Sequence, residues 1–87
     1  MKTIFSPEYD IFRQRMIAAR KAAKLTQATL AQSLNKPQSF VAKYENGERR
    51  LDVIEFLLVT RVIGIDPCEI FREIDEQLKN TSCGKKR

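Results

Sequence analysis

Between Leu25 and Leu51 the chain reads LTQATLAQSLNKPQSFVAKYENGERRL, and the spacing of its apolar residues leaves few folds open. Leu30, Ala31, Leu34, Val41 and Tyr44 recur at helical intervals on either side of a break at Asn35. Two short helices must therefore cross and bury these side chains against each other. Thr26 is placed to cap the first, roughly Gln27 to Leu34. Asn35 stands where the chain must turn sharply, and Asn tolerates a left-handed backbone better than other non-glycine residues. Pro37 suits the opening of the second helix, from Pro37 or Gln38 to Glu45, and Asn46-Gly47 ends it. The same spacing turns Gln27, Gln38, Ser39 and Lys43 outward, toward solvent or a ligand.

Three more helical segments flank this pair. Ser6-Pro7 is a strong helix start, since the hydroxyl caps and proline at the first position loses no needed N–H. From Glu8 to about Ala23, Phe12, Met16, Ala19 and Ala23 form one apolar stripe. Asp52-Val-Ile-Glu55 reads as a capping box for a fourth helix running to Ile63, with Gly64 as its stop. That helix is apolar on more than one side, so it is either central or covered by another chain. Asp66-Pro67 repeats the start signal for a fifth, which carries Ile70, Phe71, Ile74 and Leu78. Five helices with short connections and no strand pattern predict a compact all-α domain. The expected organisation is an N-terminal arm at 1–6, the domain at 7–79 and a flexible basic tail at 80–87.

Composition removes several function classes. Histidine is absent, so neither a Ser-His-Asp nor a Cys-His nucleophile nor a His-containing zinc site can be built. Cys68 and Cys83 are the only cysteines, too few for a metal cage or a disulfide framework, and both are expected as reduced thiols. The three glycines stand far apart, which rules out a glycine-rich phosphate loop. No catalytic residue, metal or cofactor is expected. No apolar run approaches the roughly 18 residues of a membrane span, and the start lacks a secretory apolar region, so a cytoplasmic location away from membranes is expected. The net charge of +5 is uneven: residues 1–50 carry ten Lys/Arg against four acids, whereas residues 51–87 carry six against seven. A basic half joined to a near-neutral half fits a surface for a polyanion and a back for something else.

The segments L-T-Q-x-x-L-A (Leu25 to Ala31) and Y-E-N-G-E-R-R (Tyr44 to Arg50), with the turn at Asn35 and the Val41–Tyr44 spacing, resemble the phage-repressor and Cro-like (Xre-type) helix-turn-helix family. The likeness extends from about Phe12 to about Phe71. It implies a five-helix, lambda-repressor-like DNA-binding domain whose helices two and three are the helix-turn-helix. By that resemblance Gln38, Ser39 and Lys43 are expected at base edges, with Gln suited to adenine and Lys to guanine, while Phe40 either touches a thymine methyl or a sugar or packs at the helix edge. Gln27, Thr26, Lys36, Asn46 and Arg49 are expected at phosphates. Arg20 and Glu45 occupy positions that pair structurally in the family. Two positions depart from its pattern: Asn35 replaces the usual turn glycine, and Lys36, replacing an apolar residue, brings a positive charge to the turn.

One short helix reads too few base pairs to be selective in a genome. The expected partner is therefore a palindromic duplex operator bound by a homodimer, with Phe71, Ile74 and Leu78 and the exposed side of the fourth helix as its interface. The expected activity is transcriptional repression by operator occupancy. One rival reading is an antitoxin that binds a toxin and its own promoter, and another an enzyme accessory or small nuclease; a controller protein of a restriction-modification system is a special case of the first reading. A small nuclease is disfavoured by the missing histidine and carboxylate cluster.

Overall fold

In the computed structural model of the protein, residues 6–81 are described. They form α1 (Pro7–Ala22), α2 (Gln27–Ser33), α3 (Gln38–Glu45), α4 (Val53–Ile63) and α5 (Pro67–Thr81), with no strand among the described residues. Most of the expected arm and of the basic tail, Cys83 included, lies outside the described residues. α5 continues to Thr81, past the expected domain boundary at 79.

Local chemistry sets where four of the five helices begin. Ser6 Oγ accepts from Tyr9 N at 3.1 Å, with Pro7 in the first turn of α1. Thr26 Oγ1 accepts from Thr29 N at 3.0 Å at the head of α2. The Asp52–Glu55 capping box is closed in both directions, at 2.7 and 3.0 Å. Asp66 Oδ1 accepts from Cys68 N at 2.9 Å and opens α5. Each of these bonds satisfies a backbone donor that a helix start leaves without an internal partner.

The first three helices end in one way. The residue past the C-cap takes a positive φ, and two backbone bonds close over the last turn. After α1 that residue is Lys24 (φ 62), with Lys24 N to Lys21 O at 2.9 Å and Leu25 N to Arg20 O at 3.2 Å. After α2 it is Asn35 (φ 60), with Asn35 N to Gln32 O at 3.0 Å and Lys36 N to Ala31 O at 2.9 Å. After α3 it is Gly47 (φ 80), with Glu48 N to Lys43 O at 2.9 Å. The left-handed turn at Lys24 stops α1 at Ala22, so Ala23, expected at the end of the buried stripe, is an exposed C-cap.

The core draws on all five helices. Met16 and Ala19 of α1, Leu30 and Ala31 of α2, Phe40, Val41 and Tyr44 of α3, Phe56, Val59 and Ile63 of α4 and Ile70 of α5 form one buried cluster. Phe12 bridges α1 to α4, its ring 5.6 Å from that of Phe56, and Phe56 stacks on Phe71 at 4.8 Å. Burial of each large apolar side chain contributes about 1.5–3 kcal/mol. Arg15 pairs with Glu73, tying α1 to α5.

α4 is not central within the single chain. It buries Phe56, Val59, Thr60 and Ile63 on one side, while Val53, Ile54, Leu57 and Leu58 on the other are 40–64 % exposed. Gly64 ends it at φ 90, and a Cβ built there meets nothing within 4 Å. The cost of a side chain at that position is therefore a backbone cost alone. Gly64→Ala is expected to lower the unfolding free energy by about 1–2 kcal/mol in chemical denaturation, with an unchanged denaturant slope. A neutral effect would show that the left-handed backbone is not what glycine supplies here.

Candidate nucleic-acid interface

The outward face of α2 and α3 starts from a buried charge pair. Arg20, on the last turn of α1, donates from Nε to Glu45 Oε2 at 2.7 Å and from a terminal nitrogen to Glu45 Oε1 at 3.1 Å. Its other terminal nitrogen donates to Leu25 O at 2.8 Å, holding the α1–α2 turn. Arg20 is 8 % exposed and Glu45 3 %. Glu45 Oε1 also accepts from Gln27 Nε2 at 2.9 Å. Arg13 donates to the Glu45 carbonyl and pairs with Asp10. One carboxylate at the end of α3 thus collects side chains from α1 and α2.

Gln27 opens α2 and is half-buried because Glu45 holds it. Gln38 opens α3, and its Nε2 donates to Gln27 Oε1 at 3.5 Å. Gln38, Ser39 and Lys43 are exposed together on the outer side of α3. The N-cap of α3 is Pro37, which brings no side-chain acceptor to the first-turn N–H groups. Such groups carry a partial positive charge and attract anions. Thr26 sits at the head of α2, Lys36 in the turn, and Asn46 at the C-cap of α3, all exposed.

Phe40 takes the packed position of the two open to it. It is 9 % exposed, its ring edge-on to Tyr44 at 5.7 Å. Position 40 falls on the inner side of α3 with Val41 and Tyr44, so the ring is committed to the core. Its remaining surface carries two cations: Lys36 Nζ lies 5.3 Å and the Arg49 guanidinium 4.9 Å from the ring centroid. Burial pushes the Tyr44 phenol far above its ordinary range, with Glu45 adding to the effect. That hydroxyl stays protonated.

Arg49 is also more constrained than a free surface cation. Its guanidinium grips Glu55 with both terminal nitrogens, at 2.9 and 2.7 Å, and donates to Arg50 O at 3.1 Å. Hydrogen bonding from Arg49 holds the Glu55 carboxyl at about 2, and the Asp52 backbone N–H assists. Next to it the Arg50 guanidinium covers the Tyr9 ring at 4.7 Å, and Tyr9 Oη accepts from Leu51 N at 3.2 Å. Sequence reasoning missed these links. The acid six residues beyond Arg49, already identified as the capping-box partner, was a usable signal. The Gln27–Glu45 bond had none, since eighteen residues separate the two.

Two stability measurements follow. Arg20→Met leaves the Glu45 carboxylate buried without its cation and is expected to cost about 3–5 kcal/mol, with Arg20→Met/Glu45→Leu recovering part of the loss. A cost under about 1 kcal/mol would make the pair equivalent to an exposed one. Glu55 has a depressed carboxyl, so its pairing stabilises the fold fully above its ordinary value of 4.5 and is lost as pH falls through about 2. Glu55→Gln should remove that slope from unfolding free energies measured across the acid range. Parallel curves for variant and parent would contradict the assignment.

Among the described residues no helix is long and apolar enough to cross a membrane, and no cluster of acids and cysteines could hold a metal ion. The chain matches the helix-turn-helix family over residues 16–70. It is also similar to the solved structure of an XRE-family like protein from Pseudomonas syringae pv. tomato str. DC3000. The two are 46 % identical with a TM-score of 0.77, over 80 % of this chain and 85 % of the other. A search of curated proteins gives no match. With the α2–turn–α3 geometry above, these findings show that the chain belongs to the XRE-type helix-turn-helix family of DNA-binding transcription regulators.

Proposed function

We propose that this protein is a sequence-specific double-stranded DNA-binding repressor that acts as a homodimer by covering its operator. The observation that carries the reading is the first turn of α3, without a side-chain cap and with Gln38 and Ser39 exposed on it, and with Lys36 and Arg49 held beside it on the Phe40 ring. α3 enters the major groove, where Gln38, Ser39 and Lys43 meet base edges. Thr26, Gln27, Lys36, Asn46 and Arg49 meet phosphates and set the register. Phe40 serves as the support for two of those cations, not as a base reader. No step of this activity calls for catalysis or a cofactor.

The dimer reading rests on the apolar surface of α4. Val53, Ile54, Leu57 and Leu58 are exposed along one side, and Phe71 of α5 is 51 % exposed near its N-terminal end. Ile74 and Leu78 are half-buried, with Ile74 packed on the core, so the interface lies nearer α4 than the α5 stripe alone implied. A second copy covering this patch doubles the contacted bases, with half-sites about 34 Å apart. The same surface also suits the antitoxin reading, with a toxin in place of the second copy; a controller protein of a restriction system is a variant of the first reading.

Affinity for an operator duplex is expected to fall steeply with salt. Lys43→Ala should cost about 1–3 kcal/mol on the operator and relax its base preference. Lys36→Ala should weaken binding to all duplexes alike and reduce the salt slope by about one. It is a cleaner phosphate test than Arg49→Ala, which also strips Glu55 of its partner. Absence of salt-dependent binding to any duplex would overturn the proposal.

A further inference from the structure

We infer that Glu55 is a positioning residue that makes Arg49 a two-pronged clamp on one DNA phosphate, presented through the Nε side of the guanidinium. This role rests on the DNA-binding reading above and specifies how one of its phosphate contacts is made.

A guanidinium carries five N–H donors in one rigid plane. Arg49 commits three of them inside the molecule. One terminal nitrogen donates to Glu55 Oε1 at 2.9 Å and to Arg50 O at 3.1 Å, and the other donates to Glu55 Oε2 at 2.7 Å. The end of the fork is thereby closed by a carboxylate that accepts on both oxygens. The two N–H groups left over are that of Nε and the second one of the nitrogen facing Oε2. They lie parallel along one side of the plane. Two parallel donors match the two non-bridging oxygens of a phosphodiester, a bidentate contact that arginine makes and an ammonium does not.

The plane has little freedom to turn. Phe40 lies 4.9 Å from the guanidinium carbon, Glu55 holds the end, and the Arg50 carbonyl holds a further donor. Glu55 is itself anchored, because its Oε1 also accepts from Asp52 N at 3.0 Å while its own N–H donates to Asp52 Oδ1 at 2.7 Å. The carboxylate thus belongs to the first turn of α4, with 17 % of its side chain exposed against 41 % for Arg49. Lys36 lies over the same Phe40 ring at 5.3 Å, so an anion on the open side of Arg49 has a second cation nearby. A carboxylate that only competed with DNA for Arg49 would have to be displaced. The open pair of donors makes displacement unnecessary.

Glu55→Gln separates this role from the acid's part in the helix start. Glutamine serves equally at this position of a capping box, so its oxygen keeps the Asp52 N–H. Its NH2 group then meets the second Arg49 nitrogen donor to donor, and the grip on the guanidinium is lost. The substitution also removes a negative charge near DNA, an effect that cancels when Arg49 is removed from both backgrounds in a double-mutant cycle.

The test is fluorescence anisotropy at low salt with a labelled duplex of mixed sequence, since phosphate contacts are made on any sequence. The proteins are the wild type, Arg49→Ala, Glu55→Gln, the double variant and Arg49→Lys, each checked for folding by circular dichroism. Arg49→Ala is expected to weaken binding about tenfold in the parent. In the Glu55→Gln background the same change should cost less than about twofold. Arg49→Lys should lose nearly as much as Arg49→Ala while keeping the parental salt slope, because the charge stays and the fork goes. An equal loss from Arg49→Ala in both backgrounds overturns the inference, and a larger loss beside Glu55→Gln makes Glu55 a competitor of DNA instead. Full affinity in Arg49→Lys overturns it too, whether or not Glu55→Gln folds, as does full affinity in Arg49→Ala. A wild type that binds no duplex overturns instead the DNA-binding reading on which the role rests.

Discussion

The buried contact between Arg20 and Glu45 organises the DNA-facing half of the molecule. Its guanidinium spends its donors in three directions: on both oxygens of Glu45 and on the carbonyl of Leu25. Those contacts set the end of α3 against the end of α1 and hold the turn that leads into α2. The Glu45 carboxylate in turn takes the Gln27 amide from the first residue of α2. A buried pair of this kind is costly to desolvate and is weak grounds for net stability. Its value lies in geometry, because a planar guanidinium and a planar carboxylate accept one another in few orientations. The relative pose of α2 and α3 follows from that restriction as well as from Leu30, Val41 and Tyr44 packing between them.

Around this centre the cations are held rather than left to float. Lys36 and Arg49 lie over one aromatic ring, Arg49 is gripped by Glu55, and Arg50 lies over Tyr9. A side chain ordered before binding loses less entropy when it meets a phosphate. Glu55 links this arrangement to the fold, since the same carboxylate that holds Arg49 closes the capping box of α4. Phe40 belongs to the arrangement as well: buried on one side and carrying charge on the other, it ties the two cations proposed for phosphate to the core.

Much of the architecture was legible in the chain because local rules determine it. Ser6-Pro7, Thr26, Asp52 with Glu55, and Asp66-Pro67 are helix starts that act through neighbours a few residues away, and all four cap as expected. Asn35 was legible as a turn for the same reason. Lys24 was not: lysine has no preference for a left-handed backbone, yet it takes φ 62 where Leu25 N donates to Arg20 O and the Arg20 side chain donates to Leu25 O. Phe40 had two places open to it in the sequence, a base edge or the helix edge, and its contact with Tyr44 decides for packing. The partners of Gln27 and Arg49 depend on where helices cross, which spacing does not supply. The exposed apolar side of α4 was visible as an excess of hydrophobic residues, but which of them face out depended on the packing of Phe56, Val59 and Ile63.

The most direct test of the central claim is a titration of isotope-labelled protein with an operator duplex, followed residue by residue through backbone amide shifts. Changes are expected at Thr26 and Gln27 and from Lys36 through Lys43, with further changes at Asn46 and Arg49. Shifts confined to Val53–Leu58 and Phe71, with α3 unmoved, would contradict it and would mark the apolar face of α4 as the primary binding surface instead.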